Sequence, residues 1–366
     1  MKIIHLSSNK IWGGVERYIL DLAIAQRKSG ENVAIFTKGH PLTDSPFIQN
    51  GFEVGRLRLN GVLDFISPVK LANYIGRHSE DDVIIHAHNF KNAITAVRTK
   101  SLCRNKNVKV VTTLHFRKKA HTSAFWSFIY GRIDKIIFVS EIIKKIFLEP
   151  TPKIKMLQTA VVYNSVIVPK KVDADIHVQD GCLPKVVYTG RVCEDKGIEV
   201  LINSISLLKD IPFMLHVVGT GDADYMSYLG EMSERYGVAD KIVWEGHKRD
   251  VYPSIADAYV GVAPSICIEA FGLTIIEFMS QGVPVVASDN GAQPEIITNG
   301  EDGMLVSPSS PEQLAAAIRK LLMDEKLRSR MGRNARLTFE SKFSYPKFFA
   351  EMQAIYQSVI SQKSKL

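Results

Sequence analysis

The chain has 366 residues, of which 46% are hydrophobic, and a formal net charge of +8. That length exceeds what one hydrophobic core serves, so two domains are expected. No run approaches the ~20 apolar residues of a membrane span, and the start lacks the small-residue cleavage site of a secretory signal. The cysteines Cys103, Cys182, Cys193 and Cys267 are scattered without metal-ligand spacing, which predicts reduced thiols in a cytoplasmic protein.

In chain order, apolar runs at residues 3–6, 33–36, 54–59, 83–87, 108–114 and 135–139 predict strands. Amphipathic segments at 15–28, 68–77, 92–102 and 141–148 predict helices among them. Continuous apolar strands alternating with helices predict a parallel sheet covered on both faces. An irregular, Pro-containing stretch over 149–184 reads as a domain boundary. The alternation then restarts, with strands expected at 185–189, 213–218, 242–245, 258–263, 284–287 and 304–306. Helices are expected at 198–209, 225–236, from 274, at 293–298 and at 311–323. The last forty or so residues read as helical, with Tyr345, Phe348, Phe349, Met352 and Tyr356 as an apolar stripe. The fold class expected is therefore α/β: two tandem doubly wound, Rossmann-like domains facing a central cleft. Their ligand should lie beyond the carboxyl ends of the strands.

The motifs follow strands, as that site requires. Gly13-Gly14 follows the first strand, where backbone without side chains lets a ligand approach. It lacks the G-x-G-x-x-G spacing of a dinucleotide site. His115 ends the 108–114 strand, placed to donate to a sugar hydroxyl; His86 and His88 stand at another strand end as wall residues. Arg191 and Lys196, in one strand-to-helix loop, make a planar fork and a point charge suited to a diphosphate. Gly219-Thr-Gly221 could lie under a base or sugar, and the strand end at Gly246 could pair with a base edge. Asp222-Ala-Asp224 reads as acids at a helix start rather than a metal site. Glu269-Ala-Phe-Gly-Leu-Thr-Ile-Ile-Glu277 puts one carboxylate before a helix and one within it, around an N-terminus that favours anions. Thr274 and Glu277 also have capping-box spacing, the competing explanation for Glu277.

Basic residues crowd Arg98, Lys100, Arg104, Lys106, Lys109, Arg117, Lys118, Lys119, Arg132, Lys135, Lys144 and Lys145, with Phe125, Trp126, Phe128, Ile129 and Tyr130 among them. This fits attachment of residues 117–135 to an anionic membrane surface, or else a solvated face over a core helix.

The ordered series Gly190-Arg191, Lys196-Gly197, Gly219-x-Gly221, Gly246-His247, Pro264-Ser265, Glu269/Glu277, Gly282-x-Pro284, Pro294-Glu295 and Gly303-x-Leu305-Val306 resembles glycosyltransferase family 4. The first half matches through Gly13-Gly14-Val-Glu-Arg17, His88, His115, Val139-Ser140 and Tyr163-Asn164. The resemblance implies the GT-B fold, with an N-terminal domain over 1–165, a nucleotide-sugar domain over 166–345 and a C-terminal helix, 346–366, crossing back to the first domain. It implies a retaining, metal-independent transfer without cofactor, from a nucleoside-diphosphate sugar, UDP-linked, to a glycan or lipid-linked acceptor at the inner face of a membrane. Arg191 and Lys196 would hold the diphosphate, Glu269 would face the donor sugar, and Glu277 would bind the ribose. The N–H groups of Phe271, Gly272 and Leu273 would cap phosphate and sugar oxygens. Gly14 would approach the phosphates and His115 the donor sugar. Asn164-Ser165 without a nearby Asp, and Gly291-Ala292, depart from the family pattern and bear on donor preference. Other readings are a nucleotide-sugar epimerase on the same scaffold and a basic nucleic-acid binder. No nucleic-acid partner is expected, because the aromatics cluster on one presumed helix instead of alternating with cations on strands.

Overall fold

The strands are β1 (Lys2–Leu6), β2 (Asn32–Thr37), β3 (Glu53–Arg56), β4 (Val83–Ala87), β5 (Val108–Leu114), β6 (Lys135–Phe138) and β7 (Thr159–Val161). They form one sheet in the order β3-β2-β1-β4-β5-β6-β7, and every pair is parallel. The second sheet holds β8 (Lys185–Thr189), β9 (Met214–Val218), β10 (Ile242–Gly246), β11 (Val260–Ala263), β12 (Val285–Ser288) and β13 (Gly303–Val306). Its order is β10-β9-β8-β11-β12-β13, again parallel throughout. β1, β4, β5, β11 and β12 are buried along their whole length, as expected of strands covered by helices on both faces. The fold is GT-B.

The computed structural model describes residues 1–78, 82–103, 107–169 and 183–361. Arg104, Lys106 and Cys182 lie outside the described residues. Two compact units divide the chain: Met1–Tyr163 with Phe348–Leu366, and Asn164–Lys347. The helix Tyr345–Ser361 therefore ends in the first unit, burying Phe348, Met352, Tyr356 and Val359. Each large apolar side chain buried contributes about 1.5–3 kcal/mol of gross transfer energy, set against the entropy of ordering the helix. No helix among the described residues is long and apolar enough to cross a membrane.

Several elements differ from expectation. The strand β7 lies inside the stretch read as irregular, because three residues at a sheet edge carry no period of their own. A helix at Pro41–Gln49 was not expected; its proline at the first position suits a helix start, although the Pro-Leu-Thr-Asp-Ser-Pro run reads as a turn. The helix expected from residue 274 begins at Leu273 with Gly272 as its N-cap, and no side chain caps it. Thr274 is thus inside the helix, and the capping-box explanation of Glu277 falls.

Candidate active site

Both sheets reverse strand order beside their first strand, β1 next to β4 and β8 next to β11. Crevices at such reversals are where ligands of these sheets bind. The candidate residues gather there in each unit.

In the second unit, three loops lock together. Gly190 donates its N–H to Val218 O at 3.0 Å, and Gly219 donates to Gly246 O at 2.8 Å. Gly219 has φ +152°, and a Cβ there would stand 1.8 Å from Gly190 O. Gly221 faces Val192 O as closely, at 2.0 Å. The close approach that these glycines permit includes one of loop to loop. Gly197, left-handed at φ +73°, lets the loop turn against Pro264 O, which a Cβ would meet at 2.1 Å. Asp195 O then accepts from the N–H groups of Ile266 and Cys267, at 3.0 and 3.2 Å.

That stapling aims the charged groups. The Lys196 ammonium forms an ion pair with Glu269 Oε1, and Ser265 Oγ donates to the same oxygen at 2.7 Å. Both partners are about four-fifths covered, with side-chain exposures of 22% and 18%. Gly291 holds the loop from the other side, where a Cβ would meet Glu269 N at 2.5 Å, and Ala292 N–H donates to Glu269 O at 3.0 Å. Arg191 is exposed, and its loop is fixed by Tyr188 Oη donating to its carbonyl at 2.6 Å. Among the described residues its guanidinium makes no hydrogen bond or close ion pair, and it lies in the field of Asp195.

Gly272 turns the chain into the helix Leu273–Ser280 at φ +129°, a conformation that only glycine adopts readily. The N–H groups of Gly272 and Leu273 take no partner among the described residues. Phe271 is buried and packs edge-on to Phe343, with centroids 5.9 Å apart. Glu277, half-buried, lies one turn into the helix. The region thus combines one unpaired guanidinium, one ammonium shared with a carboxylate, and open helix N–H groups, an arrangement that holds anions.

Near Gly246, sequence reasoning missed Glu245. It accepts from His216 Nδ1 at 2.6 Å, from Ser254 Oγ at 2.9 Å and from Lys248. Burial opposes its charge, but those hydrogen bonds outweigh burial and hold the carboxyl down to about 2. Asp222 behaves as expected, its side chain accepting from Asp224 N–H at 3.1 Å as a helix N-cap.

In the first unit the buried groups at the strand ends are mostly imidazoles, while the cations that follow β2 and β5, Lys38 and Arg117 to Lys119, are on the surface or half-buried. Gly13 and Gly14 are exposed, and Gly14 starts the helix Gly14–Lys28. Glu16, buried, accepts from Ser7 Oγ at 3.0 Å and Asn9 Nδ2 at 2.7 Å, tying down the loop that leads to the glycines. His115 is buried at the end of β5 and contacts His88, Nδ1 of His88 lying 3.2 Å from Nε2 of His115. His88 in turn meets His5, and His5 meets Gln26 Oε1 at 2.8 Å. His86 lies between Tyr356 Oη and Thr113 Oγ1, each at 2.7 Å. Burial lowers all four imidazoles, His5 to about 4 and His115 to about 3. His86 and His88 are held well below the ordinary range by burial and then by neighbouring histidines. His5, Gln26 and Tyr356 were not expected from the sequence; the cue was His5 in a strand with His86 and His88 in another.

Nitrogens of His5, His86 and His88 lie within 4.8 Å of one another, a spacing that could hold an ion. All six ring nitrogens of these residues are already hydrogen-bonded, so an ion would have to displace satisfied bonds.

The basic surface is smaller than its composition implies. Lys109 is buried, Lys100 pairs with Asp134, Lys119 with Glu149 and Lys144 with Glu141. Ile129 and Tyr130 are buried, and Trp126 packs against Phe90, His121 and Tyr130. Phe116, Phe125 and Phe128 remain exposed, with Arg132 stacked over Phe128.

Comparison with known proteins bears on the family and the fold. The family model described as Glycosyltransferase Family 4 matches residues 12–167, and the model described as Glycosyl transferases group 1 matches residues 170–338. An uncharacterized glycosyltransferase of Methanocaldococcus jannaschii is 27% identical over 95% of either chain. A capsular polysaccharide biosynthesis glycosyltransferase of Staphylococcus aureus is 27% identical over 48% of this chain and 46% of its own. The structure of HepE from Anabaena, solved with UDP, matches with a TM-score of 0.83 at 20% identity, over 98% of this chain and 100% of that one.

Proposed function

The chain belongs to glycosyltransferase family 4, and on that premise we propose that it moves a hexose-type sugar, with retention, from a UDP-linked donor to a glycan or glycolipid. The setting proposed is synthesis of bacterial cell-surface polysaccharide or lipopolysaccharide, at the inner face of the membrane. The observation that carries this reading is the Lys196–Glu269 pair beside the unpaired Arg191 and the open N–H groups of Gly272 and Leu273.

Each group has a task there. Arg191 and Lys196 hold the diphosphate and neutralise the charge that grows on it as the glycosidic bond breaks. Pairing with Glu269 aims the ammonium before the donor arrives, and leaves its other N–H groups for phosphate. Glu269 keeps a second oxygen for hydroxyls of the donor sugar. Gly272, Leu273 and Phe271 present backbone N–H groups to phosphate and sugar oxygens, and Glu277 takes the ribose hydroxyls. Gly13, Gly14 and His115 supply the first unit's contribution, His115 to the donor sugar. Gly219 and Gly246 shape the loops that border the base. The departing phosphate accepts the acceptor's proton, so no metal and no protein nucleophile is required; positioning and charge do the work. Relatives and structural neighbours whose names specify capsular polysaccharide synthesis and bound UDP support the donor and pathway. Residues 117–135, with Arg117, Phe125 and Phe128 exposed and Arg132 stacked over Phe128, form the face offered to anionic lipid.

A thermal-shift panel with UDP, GDP, ADP and their sugars tests the donor, because a ligand bound only by the folded state raises Tm. UDP-sugars should give the largest shift. A larger shift with GDP or ADP sugars overturns the UDP assignment, and no shift with any of them overturns the donor site. Proton NMR of the glycoside product tests retention, which an inverted anomer refutes.

A further inference from the structure

The histidine network beneath His115 has a direction, set by one side-chain amide. Gln26 offers Oε1 to His5 Nε2 at 2.8 Å and donates Nε2–H to Tyr356 Oη at 3.2 Å. An amide oxygen only accepts, so His5 carries its proton on Nε2. Burial keeps His5 neutral, so its Nδ1 is a lone pair, and at 3.0 Å it must accept from His88 Nε2. The same step repeats: His88 Nδ1 accepts from His115 Nε2 at 3.2 Å. On the other arm, Tyr356 accepts from Gln26, which leaves its hydroxyl proton to be offered to His86 Nδ1 at 2.7 Å. His86 then donates Nε2–H to Thr113 Oγ1. Reversing the amide would reverse every bond in both arms, so the polarity rests on Gln26.

We propose that Gln26, His5 and His88 are positioning residues that hold His115 as its Nε2–H tautomer, leaving Nδ1 as a lone-pair acceptor for a hydroxyl of the donor sugar. His115 Nδ1 takes no hydrogen bond among the described residues. The ring is clamped by the Tyr18 edge, centroids 4.7 Å apart, and Tyr18 is itself packed against Phe348 and Met352. Helix Tyr345–Ser361 thereby completes the relay through Tyr356. The sequence placed His115 as a donor to the sugar; the network makes it an acceptor. This inference rests on the reading that His115 meets the donor sugar.

Long-range proton–nitrogen correlation spectra of the 15N-labelled full chain at neutral pH report imidazole tautomers directly. His5, His86, His88 and His115 should all show the Nε2–H pattern, and an Nδ1–H pattern for His115 overturns the proposal. Gln26→Met removes both ends of the amide at similar volume. His115 should then populate both tautomers and sugar transfer should fall about tenfold, as for one lost hydrogen bond, with UDP affinity unchanged. A folded Gln26→Met protein with an unaltered His115 pattern and unaltered transfer overturns the relay. If that variant fails to fold, the wild-type spectrum alone decides. Added Zn²⁺ should leave the four patterns in place, whereas stoichiometric uptake with loss of the His5 and His86 signals overturns the relay in favour of a metal site. Transfer is read separately as UDP release: transfer with Nδ1–H His115 sinks the relay alone, while the expected tautomers without transfer sink the glycosyl-transfer reading and the role of Nδ1 with it.

Discussion

The two units build the same crevice from opposite chemistry. Beside the β1/β4 reversal, the first unit buries neutral imidazoles, a primary amide and a tyrosine hydroxyl, all bonded to one another. Beside the β8/β11 reversal, the second unit holds an unpaired guanidinium and an ammonium–carboxylate pair in partial contact with water. A scaffold that supplies position twice can thus be specialised through its strand-end residues alone. Uncharged polar groups suit hydroxyl recognition, where orientation matters; cations suit a phosphate, where charge matters. The glycines follow the same division. In the second unit they let three loops touch backbone to backbone, which is how an exposed charged loop is held still.

The contrast is sharpest under acid. Four histidines with native pKa values lowered from 6.5 leave the unfolded chain binding protons that the native first unit refuses. Stability is therefore full above pH 6.5 and falls as pH drops towards 4, at about 1.4 kcal/mol per pH unit for each histidine and several kcal/mol for the group. Glu245, lowered from 4.5 to about 2, stabilises the second unit fully above pH 4.5 and loses that contribution only as pH falls from 4.5 towards 2. With Trp244 replaced by phenylalanine, fluorescence from Trp12 and Trp126 follows the first unit alone. Its transition should begin between pH 6 and 5, and a transition confined below pH 4 would contradict the neutral network.

Gly219→Ala should break the second unit instead. Its Cβ would overlap Gly190 O, so a loss of roughly 3–5 kcal/mol is expected in denaturant unfolding followed at Trp244. Lys196→Ala and Glu277→Ala should each lower transfer about a hundredfold, as one charge-assisted contact is lost in a sheltered site. Full activity in either variant would remove that residue from the assignment. The smallest effect belongs to the surface: replacing Arg117, Arg132, Phe125 and Phe128 together should weaken binding to anionic vesicles, each cation being worth about 1 kcal/mol. UDP release in solution should be unchanged, and equal vesicle binding would refute the membrane face.

Much of the fold was legible because buried parallel strands are continuous apolar runs. β4, β5 and β8, and the helices Glu141–Leu148 and Pro311–Met323, have the predicted limits. β7 escaped because an edge strand of three residues is defined by its neighbour β6. The second unit's site was more legible than the first's. Arg191 and Lys196 lie five residues apart in one loop, whereas Gln26, His5, His88 and Tyr356 come from elements scattered along the chain.

The sequence by itself determined two sheets of alternating strand and helix, the glycine turns, and which strand ends carry cations, because period and backbone freedom are local properties. Only the tertiary structure decided that Lys196 meets Glu269, that the last helix supplies Tyr356 to the first unit, and which nitrogen of His115 bears its proton. Those outcomes depend on distances between residues remote in sequence, and a hydrogen bond exists only once both partners are in place.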